Sequence, residues 1–314
     1  MAFFGGEPMA GIGGFLKGLF VSEGMSKYET FGKVDEGRMS VIFKARDKRT
    51  MRTCLLKIYK PDCIRIRNAI RRKQPDIDQI LLSLAHPCVM KTYEFGHVKG
   101  QEYAAIEAID GGALGMLARE GKLSHAGMLT ALSRVAEGIV YLHEEKHVVH
   151  RDLNPFNVVV TDALEAKIID LDFTIIEAPD TAGMYRRSGT VAYLSPEQVR
   201  GHHLDHRVDI YAFGVTMYET LTGVNPYWDR EEQSDQMRME RTTYNHLVLI
   251  PEVPSTIKPW IPPDLDRLIL GCLERNRSER IQTATEVLKG LQNILPTIPD
   301  TGATAIRPPI QEPF

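Results

Sequence analysis

Cysteine is scarce in this chain: four residues in 314, at positions 54, 63, 88 and 272, with no CxxC pair among them. That scatter excludes zinc-knuckle spacing and leaves reduced, packed thiols as the expectation. Long apolar runs are missing too. No stretch approaches the roughly 18 residues a membrane-crossing helix needs, and the first residues lack the basic region and small-residue cleavage site of a signal peptide. Neither charge sign dominates: 38 Lys and Arg against 41 Asp and Glu leave a net charge of −3. This argues against a nucleic-acid or membrane-surface protein as a whole. No internal repeat is visible, so a cytoplasmic globular protein with room for two cores is expected.

What is present divides into four stretches. Residues 1–27 form a glycine-rich extension, in which residues 12–21 are apolar around Lys17. They read either as a short amphipathic contact with a membrane or partner or, preferably, as a leader tucked against the rest, because glycines weaken any helix there. Residues 28–108 form the first lobe. Within it, Val41-Ile42-Phe43 and Thr53–Tyr59 read as strands, residues 66–85 as one helix with Ile77, Ile80, Leu81 and Leu84 on a face, and two further strands fall near 89–95 and 102–107. The break Asp110-Gly111-Gly112 opens a mostly helical second lobe, residues 109–295, and residues 296–314, with five prolines, form a disordered or extended tail. Strands plus a helix, then a glycine break and helices, is a two-lobed α+β layout. The basic run 64–73 is expected to be a solvated helix face rather than a nucleic-acid contact.

One stretch carries the chemistry: His150-Arg151-Asp152-Leu153-Asn154-Pro155-Phe156-Asn157. Asp152 can accept a hydroxyl proton and Asn157 can ligate a hard cation. Thirteen residues later Asp170 ends the apolar run Ile168-Ile169. A base, an amide ligand and a second carboxylate at this spacing suit metal-assisted phosphoryl transfer. H-R-D-L-x-x-x-N is also the catalytic-loop signature of protein kinases.

From about Tyr28 to Leu295 the sequence resembles a eukaryotic-like (Hanks-type) protein kinase domain. Its downstream half is similar to bacterial Ser/Thr kinases through Gly189-Thr190, Ser195-Pro196-Glu197, Asp209 and Gly214. The resemblance implies a bilobal fold with a β-rich small lobe and an ATP/Mg²⁺-dependent Ser/Thr protein kinase. It assigns Asp152, Asn154 and Lys57 to catalysis and Asn157 and Asp170 to Mg²⁺. Lys57, Ile42, Leu55, Glu107, Ile109 and Gly37 fall at the nucleotide, with Ile106 to Ile109 at the gatekeeper and hinge. Glu197 would pair with Arg280, and Asp209, at a helix start, would support the catalytic loop. Arg151 suggests an activation segment ordered by phosphate, with Thr174, Thr181, Tyr185 and Ser188 as acceptors, Arg186 and Arg187 offering an alternative anchor. Thr190 and Pro155 favour Ser/Thr over Tyr substrates.

Five departures cluster at the nucleotide. The glycine-rich loop keeps only Gly37 and brings Asp35 and Glu36 toward an anion. Leu55 narrows the adenine slot. Ile77 stands where a helix glutamate would meet Lys57, flanked by Asp76 and Asp78. Asn154 replaces a lysine that would meet the γ-phosphate, and Asp170-Leu171-Asp172 replaces D-F-G, removing a flexible glycine. Two alternatives to a kinase stay open: a pseudokinase acting as a binding or regulatory module, and a small-molecule phosphotransferase, which Ser195-Pro196-Glu197 and Arg280 disfavour.

Overall fold

The computed structural model of the protein describes residues 25–177 and 189–301. The chain divides into two compact units: residues up to Arg72 with Lys91–Ala108, and Lys73–Met90 with the chain from Ile109 onward. Lys73–Met90, which the sequence assigns to the first lobe, therefore packs within the second unit.

The first unit is built on a five-stranded antiparallel sheet in the order β1 (Tyr28–Glu36), β2 (Ser40–Asp47), β3 (Thr53–Tyr59), β5 (Gln101–Glu107), β4 (Thr92–Val98). Side chains alternate between faces along a strand. Ala45, Cys54, Leu56, Ile58, Tyr103 and Ala105 share one face and form a core with Met25 and Tyr28. Ile42, Leu55 and Lys57 have the opposite parity, and Ile42 and Lys57 are direct cross-strand partners. Behind β3 comes α1 (Pro61–Lys73), opened by a proline whose missing N–H costs nothing there. Its basic run is not simply a solvated face, because Arg67 is buried with its guanidinium 4.5 Å from the Tyr59 ring and 4.6 Å from the Phe95 ring. Two aromatic faces make this interior position favourable for a cation.

The single helix expected over 66–85 is two. Gln74-Pro75-Asp76 interrupts it, and α2 (Ile77–Ser83) starts afresh in the second unit. Pro75 explains the break, since a proline inside a helix removes a hydrogen bond and clashes with the preceding turn. The second unit continues with β6 (Gly112–Ala113), α3 (Leu114–Arg119), α4 (His125–Val140) and β7 (Val148–Val149). The hairpin strands β8 (Val158–Val160) and β9 (Ala166–Ile168) follow, then β10 (Ile175–Ile176), which pairs with β7.

Five longer or capped helices complete this unit: α5 (Pro196–Arg200), α6 (Arg207–Thr222), α7 (Asp235–Val248), then α9 (Pro263–Cys272) and α10 (Ala284–Ile294) after the short α8 (Pro254–Ile257). Every residue of α6 after Arg207 is buried, so α6 is the central helix on which the others pack. The tail is tied down at its start: Ile298 is buried and the Thr301 carbonyl accepts the His125 N–H at 2.9 Å. Residues 302–314 and 1–24, including the apolar segment 12–21, lie outside the described residues.

All four thiols are free and buried, and burial pushes Cys54 up to about 11 and Cys88 and Cys272 up to about 12. Among the described residues no helix is long and apolar enough to cross a membrane.

Candidate active site

The loop between β7 and β8 is fixed from below by one carboxylate. Asp209 lies in the first turn of α6 rather than at its cap, which is His206. Its oxygens turn away from its own helix and accept the backbone N–H groups of His150 at 2.7 Å and Arg151 at 2.8 Å. The His143 ring adds a bond at 2.9 Å from a π-helical turn, Tyr141–Glu145. Burial pushes the Asp209 carboxyl upward, but the bonds from His143 and the Arg151 backbone outweigh it and hold it below the ordinary range. The fixed carboxylate stabilises an unusual backbone: Arg151 sits at φ 70°, a left-handed conformation that side chains other than glycine seldom adopt.

Asp152 is buried, and each of its oxygens is occupied. Oδ1 accepts the Thr190 N–H at 2.7 Å, and Oδ2 accepts the Asn157 amide at 3.0 Å. Burial lifts its carboxyl above the ordinary value despite these bonds. Asn157 also donates to the Asp152 carbonyl at 2.9 Å, so its Nδ2 faces Asp152 twice and its Oδ1 points the other way. Asp170 is brought beside it by the β8–β9 hairpin: Val158 faces Ile168, and the Ile169 N–H donates to the Asn157 carbonyl at 2.9 Å. Asp170 itself takes the left-handed conformation, at φ 63°, while Asp172 continues into a short 3₁₀ turn at negative φ. The glycine missing at position 172 is therefore not required in this conformation.

Asn154 is turned into the loop. Its Nδ2 donates to the Asp152 carbonyl at 3.0 Å, and its Oδ1 accepts the N–H groups of Phe156 at 3.0 Å and Asn157 at 3.1 Å. These are the local bonds by which asparagine shapes a turn, and they set the positions of Asp152 and Asn157.

Above the loop, Gly189 has φ 119°, and a Cβ there would lie 2.8 Å from the Arg151 carbonyl and 3.4 Å from Asp152 Oδ1. Only glycine lets the next residue, Thr190, bring its N–H to Asp152. A Gly189→Ala substitution should cost about 1–3 kcal/mol through backbone strain and disturb the Thr190–Asp152 bond. Thermal unfolding reads the first effect, and an unchanged Tm would contradict it. The stretch after Thr190 is braced by Glu219 of α6, which accepts the Tyr193 hydroxyl and the Arg119 guanidinium, each at 2.7 Å, and the Asn225 amide at 2.9 Å. Next comes the Ser195–Gln198 capping box, and Glu197 forms the expected pair with Arg280 at 2.7 and 3.0 Å.

Two residues of this network have no sequence signal. Gln74 pairs its side-chain amide with both backbone groups of Ile176, at 2.7 and 2.8 Å, and so behaves as a third strand beside β10. Glu219 reads in the sequence as one more polar helix residue, and only its burial within α6 and its three partners mark it out. Of the phosphate acceptors considered, Thr174 is 1 % exposed and drops out. Thr181, Tyr185 and Ser188, with Arg186 and Arg187, lie outside the described residues. The Arg151 guanidinium is buried and donates to the Phe173 carbonyl at 3.2 Å.

The residues assigned to the nucleotide side belong to the first unit, apart from Ile109 in the second. Lys57 is buried on β3, on the same sheet face as the half-exposed Ile42 and Leu55, where Ile42 faces Lys57 and the exposed Lys44 faces Leu55. Glu107 ends β5, its carboxylate accepting the Lys91 N–H at 3.0 Å. Gly37 turns between β1 and β2, where its N–H bonds to the Ser40 carbonyl at 3.0 Å. Glu36 does not stand as a free acid: Lys33 at 3.0 Å and Lys60 at 2.9 Å hold it, and their hydrogen bonds lower its carboxyl. Ile77 is buried at the start of α2, and Asp76, at its cap, makes no side-chain cap bond.

The chain is 30 % identical over 289 residues to a probable serine/threonine-protein kinase of Streptomyces coelicolor and 29 % identical over 273 residues to one of Clostridium perfringens. It is 27 % identical over 276 residues to the serine/threonine-protein kinase PknB of Mycobacterium tuberculosis. These alignments cover 89 %, 86 % and 85 % of this chain but 41 %, 38 % and 43 % of the relatives, so the chain spans about two-fifths of their length. Residues 28–290 match the family described as protein kinase domain. This match over most of its length places the chain in the protein kinase family.

Proposed function

We propose that the chain is an ATP- and Mg²⁺-dependent serine/threonine protein kinase domain. The observation that carries the proposal is the amide orientation of Asn157. With Nδ2 spent on Asp152, its Oδ1 remains as an acceptor beside Asp170. Two oxygen ligands suit Mg²⁺, which keeps several waters and shares phosphate oxygens rather than filling an all-protein cage. Bound Mg·ATP would supply the phosphoryl group and neutralise charge developing on it.

The chain's own residues then have separate tasks. Asp152 orients a Ser or Thr hydroxyl and takes its proton, a role suited to a carboxyl raised by burial. Asn154 acts as a positioning residue, holding the loop that carries Asp152 and Asn157. Lys57 holds the α- and β-phosphates, and Ile42, Leu55, Glu107, Ile109 and Gly37 surround the nucleotide. Thr190 caps Asp152 and faces the incoming hydroxyl. The substrate is a protein side chain, the reaction is cytoplasmic, and self-phosphorylation within 174–190, at Thr181, Tyr185 or Ser188 rather than the buried Thr174, remains part of the reading.

A binding module of the same fold is the second reading, supported by Ile77, an apolar residue where the resemblance calls for a glutamate. The two separate on labelled ATP. A kinase incorporates phosphate into itself or a generic basic protein, and chelating Mg²⁺ stops it. A binding module gives no incorporation at millimolar Mg·ATP, which would overturn the proposal.

A further inference from the structure

The protonation state of a histidine can be read from the partners of its two ring nitrogens. A neutral imidazole offers one N–H and one lone pair, whereas a ring facing acceptors on both sides needs two N–H groups. His150 receives the Asp152 N–H at Nδ1 and faces the Ile169 carbonyl at Nε2. His246 faces the Tyr211 hydroxyl and the Val191 carbonyl, and burial pushes it down to about 3. His143 spends Nε2 on Asp209, and its Nδ1 has no hydrogen-bond partner among the described residues.

His206 differs from all three. Its Nδ1 lies 2.9 Å from Glu177 Oε1 and its Nε2 lies 2.9 Å from the Gln282 carbonyl. A carboxylate and a carbonyl can only accept, so both bonds form together only when the ring is doubly protonated. The His206 backbone N–H points at the same Glu177 oxygen, at 3.2 Å. The remaining charges around the ring are already matched. On its own stretch Asp205 is occupied by Arg207 at 2.7 Å and by Arg277, from the loop carrying Gln282, at 3.4 Å. The His143 ring, centred 5.5 Å away, is turned to Asp209. Glu177 is thus the acid that answers His206. The pair's hydrogen bond raises the imidazole above the ordinary histidine value and lowers the Glu177 carboxyl.

The pair's place in the fold gives it a consequence. Glu177 directly follows β10, and its N–H donates to the His147 carbonyl at 2.8 Å, next to β7. At the end of the ribbon away from Glu177, β7 runs into the Asp152 loop and β10 leads back toward Asp170. We infer that His206 works as an imidazolium clasp, pinning Glu177, and with it the β7–β10 ribbon, to the start of α6 and the loop at Gln282. It is thereby a positioning residue for the phosphotransfer proposed above, on which this part of the inference rests.

The sign follows from linkage: the clasp is complete between the lowered value of Glu177 and the raised value of His206, and it is lost as pH rises through the latter. Histidine-selective NMR of the full chain tests it, with His206→Gln assigning the signal. His206 should titrate above pH 6.5, and Glu177→Gln should return it toward that value. Titration at or below the ordinary value, or indifference to Glu177→Gln, overturns the clasp. Phosphate transfer between pH 6.5 and 9 tests the positioning role. The parent should lose roughly two- to fivefold on the alkaline side, as suits a half-exposed ion pair. His206→Lys, which keeps its charge, should lose less, and His206→Gln should be low throughout in kcat with an unchanged KM for ATP. The same alkaline fall in all three overturns that role. If even the parent transfers no phosphate at any pH, the kinase reading fails, and the NMR titration alone decides the clasp.

Discussion

The Asp152→Asn substitution should lower phosphate transfer by about 10²–10⁴-fold, the usual weight of a positioned general base, while Tm stays within a few degrees of the parent. The activity loss follows from removing the proton acceptor. The stability result follows from the environment. Burial raises the Asp152 carboxyl, so the folded state holds its proton more tightly than the unfolded state does. By linkage, the ionised carboxylate then costs stability at neutral pH, a cost absent in acid and growing as pH rises through the folded value. An amide is never charged, so it removes that cost while keeping Oδ1 for the Thr190 N–H. Against this stands its Nδ2, which meets the Asn157 amide donor. The two effects oppose each other and leave stability near where it began. A transfer rate equal to the parent's would remove Asp152 from catalysis, and a fall of Tm by ten degrees or more would show that it is mainly a structural carboxylate.

Arg280→Ala should have the largest effect on stability, about 3–5 kcal/mol, because it leaves a buried carboxylate without its partner. Glu197 is buried, and Arg280 is 1 % exposed. Beyond the two bonds to Glu197, the guanidinium donates to the carbonyls of Glu274 at 2.9 Å and Arg207 at 2.7 Å and stacks over Tyr211 at 5.0 Å. Removing it orphans three acceptors at once. In a domain of this size that corresponds to a Tm drop of roughly ten degrees. Pairing Arg280→Met with Glu197→Gln should recover part of the loss, since the uncompensated charge disappears with its partner. A single variant within about two degrees of the parent would contradict the argument.

How much of this was legible in the sequence differs from element to element. The β7–β8 loop is legible because H-R-D-L-x-x-x-N is a compact local signature, and the hairpin that follows brings Asp170 to the same end. The Glu197–Arg280 pair was legible only through the resemblance, as 83 residues separate the partners. The helix over 66–85 was misread because the periodicity of Ile77, Ile80 and Leu81 masked the break at Pro75. Arg67 was misread for a different reason: a charge pattern cannot show that two rings from distant strands enclose it. Asn154 looked like the loss of a phosphate contact, whereas its side chain proves to be the turn-forming part of the loop. The acid at Glu36 looked hostile to an anion until Lys33 and Lys60 were found on it. Gln74 was invisible, because an amide that imitates a β-strand has no pattern of its own.

The central helix α6 has a last consequence. Asp209 near its start holds the Asp152 loop, the carbonyl of Arg207 two residues earlier holds Arg280, and Glu219 near its end holds Tyr193 and Arg119. Segments that are far apart in sequence are thus bolted through three supports to one bar, and a shift of that bar is felt by all of them. Substitutions at these supports cannot be treated as independent, even where their side chains never touch. Evolution along this lineage would then be path-dependent, with a change tolerated at one support only after a compensating change at another.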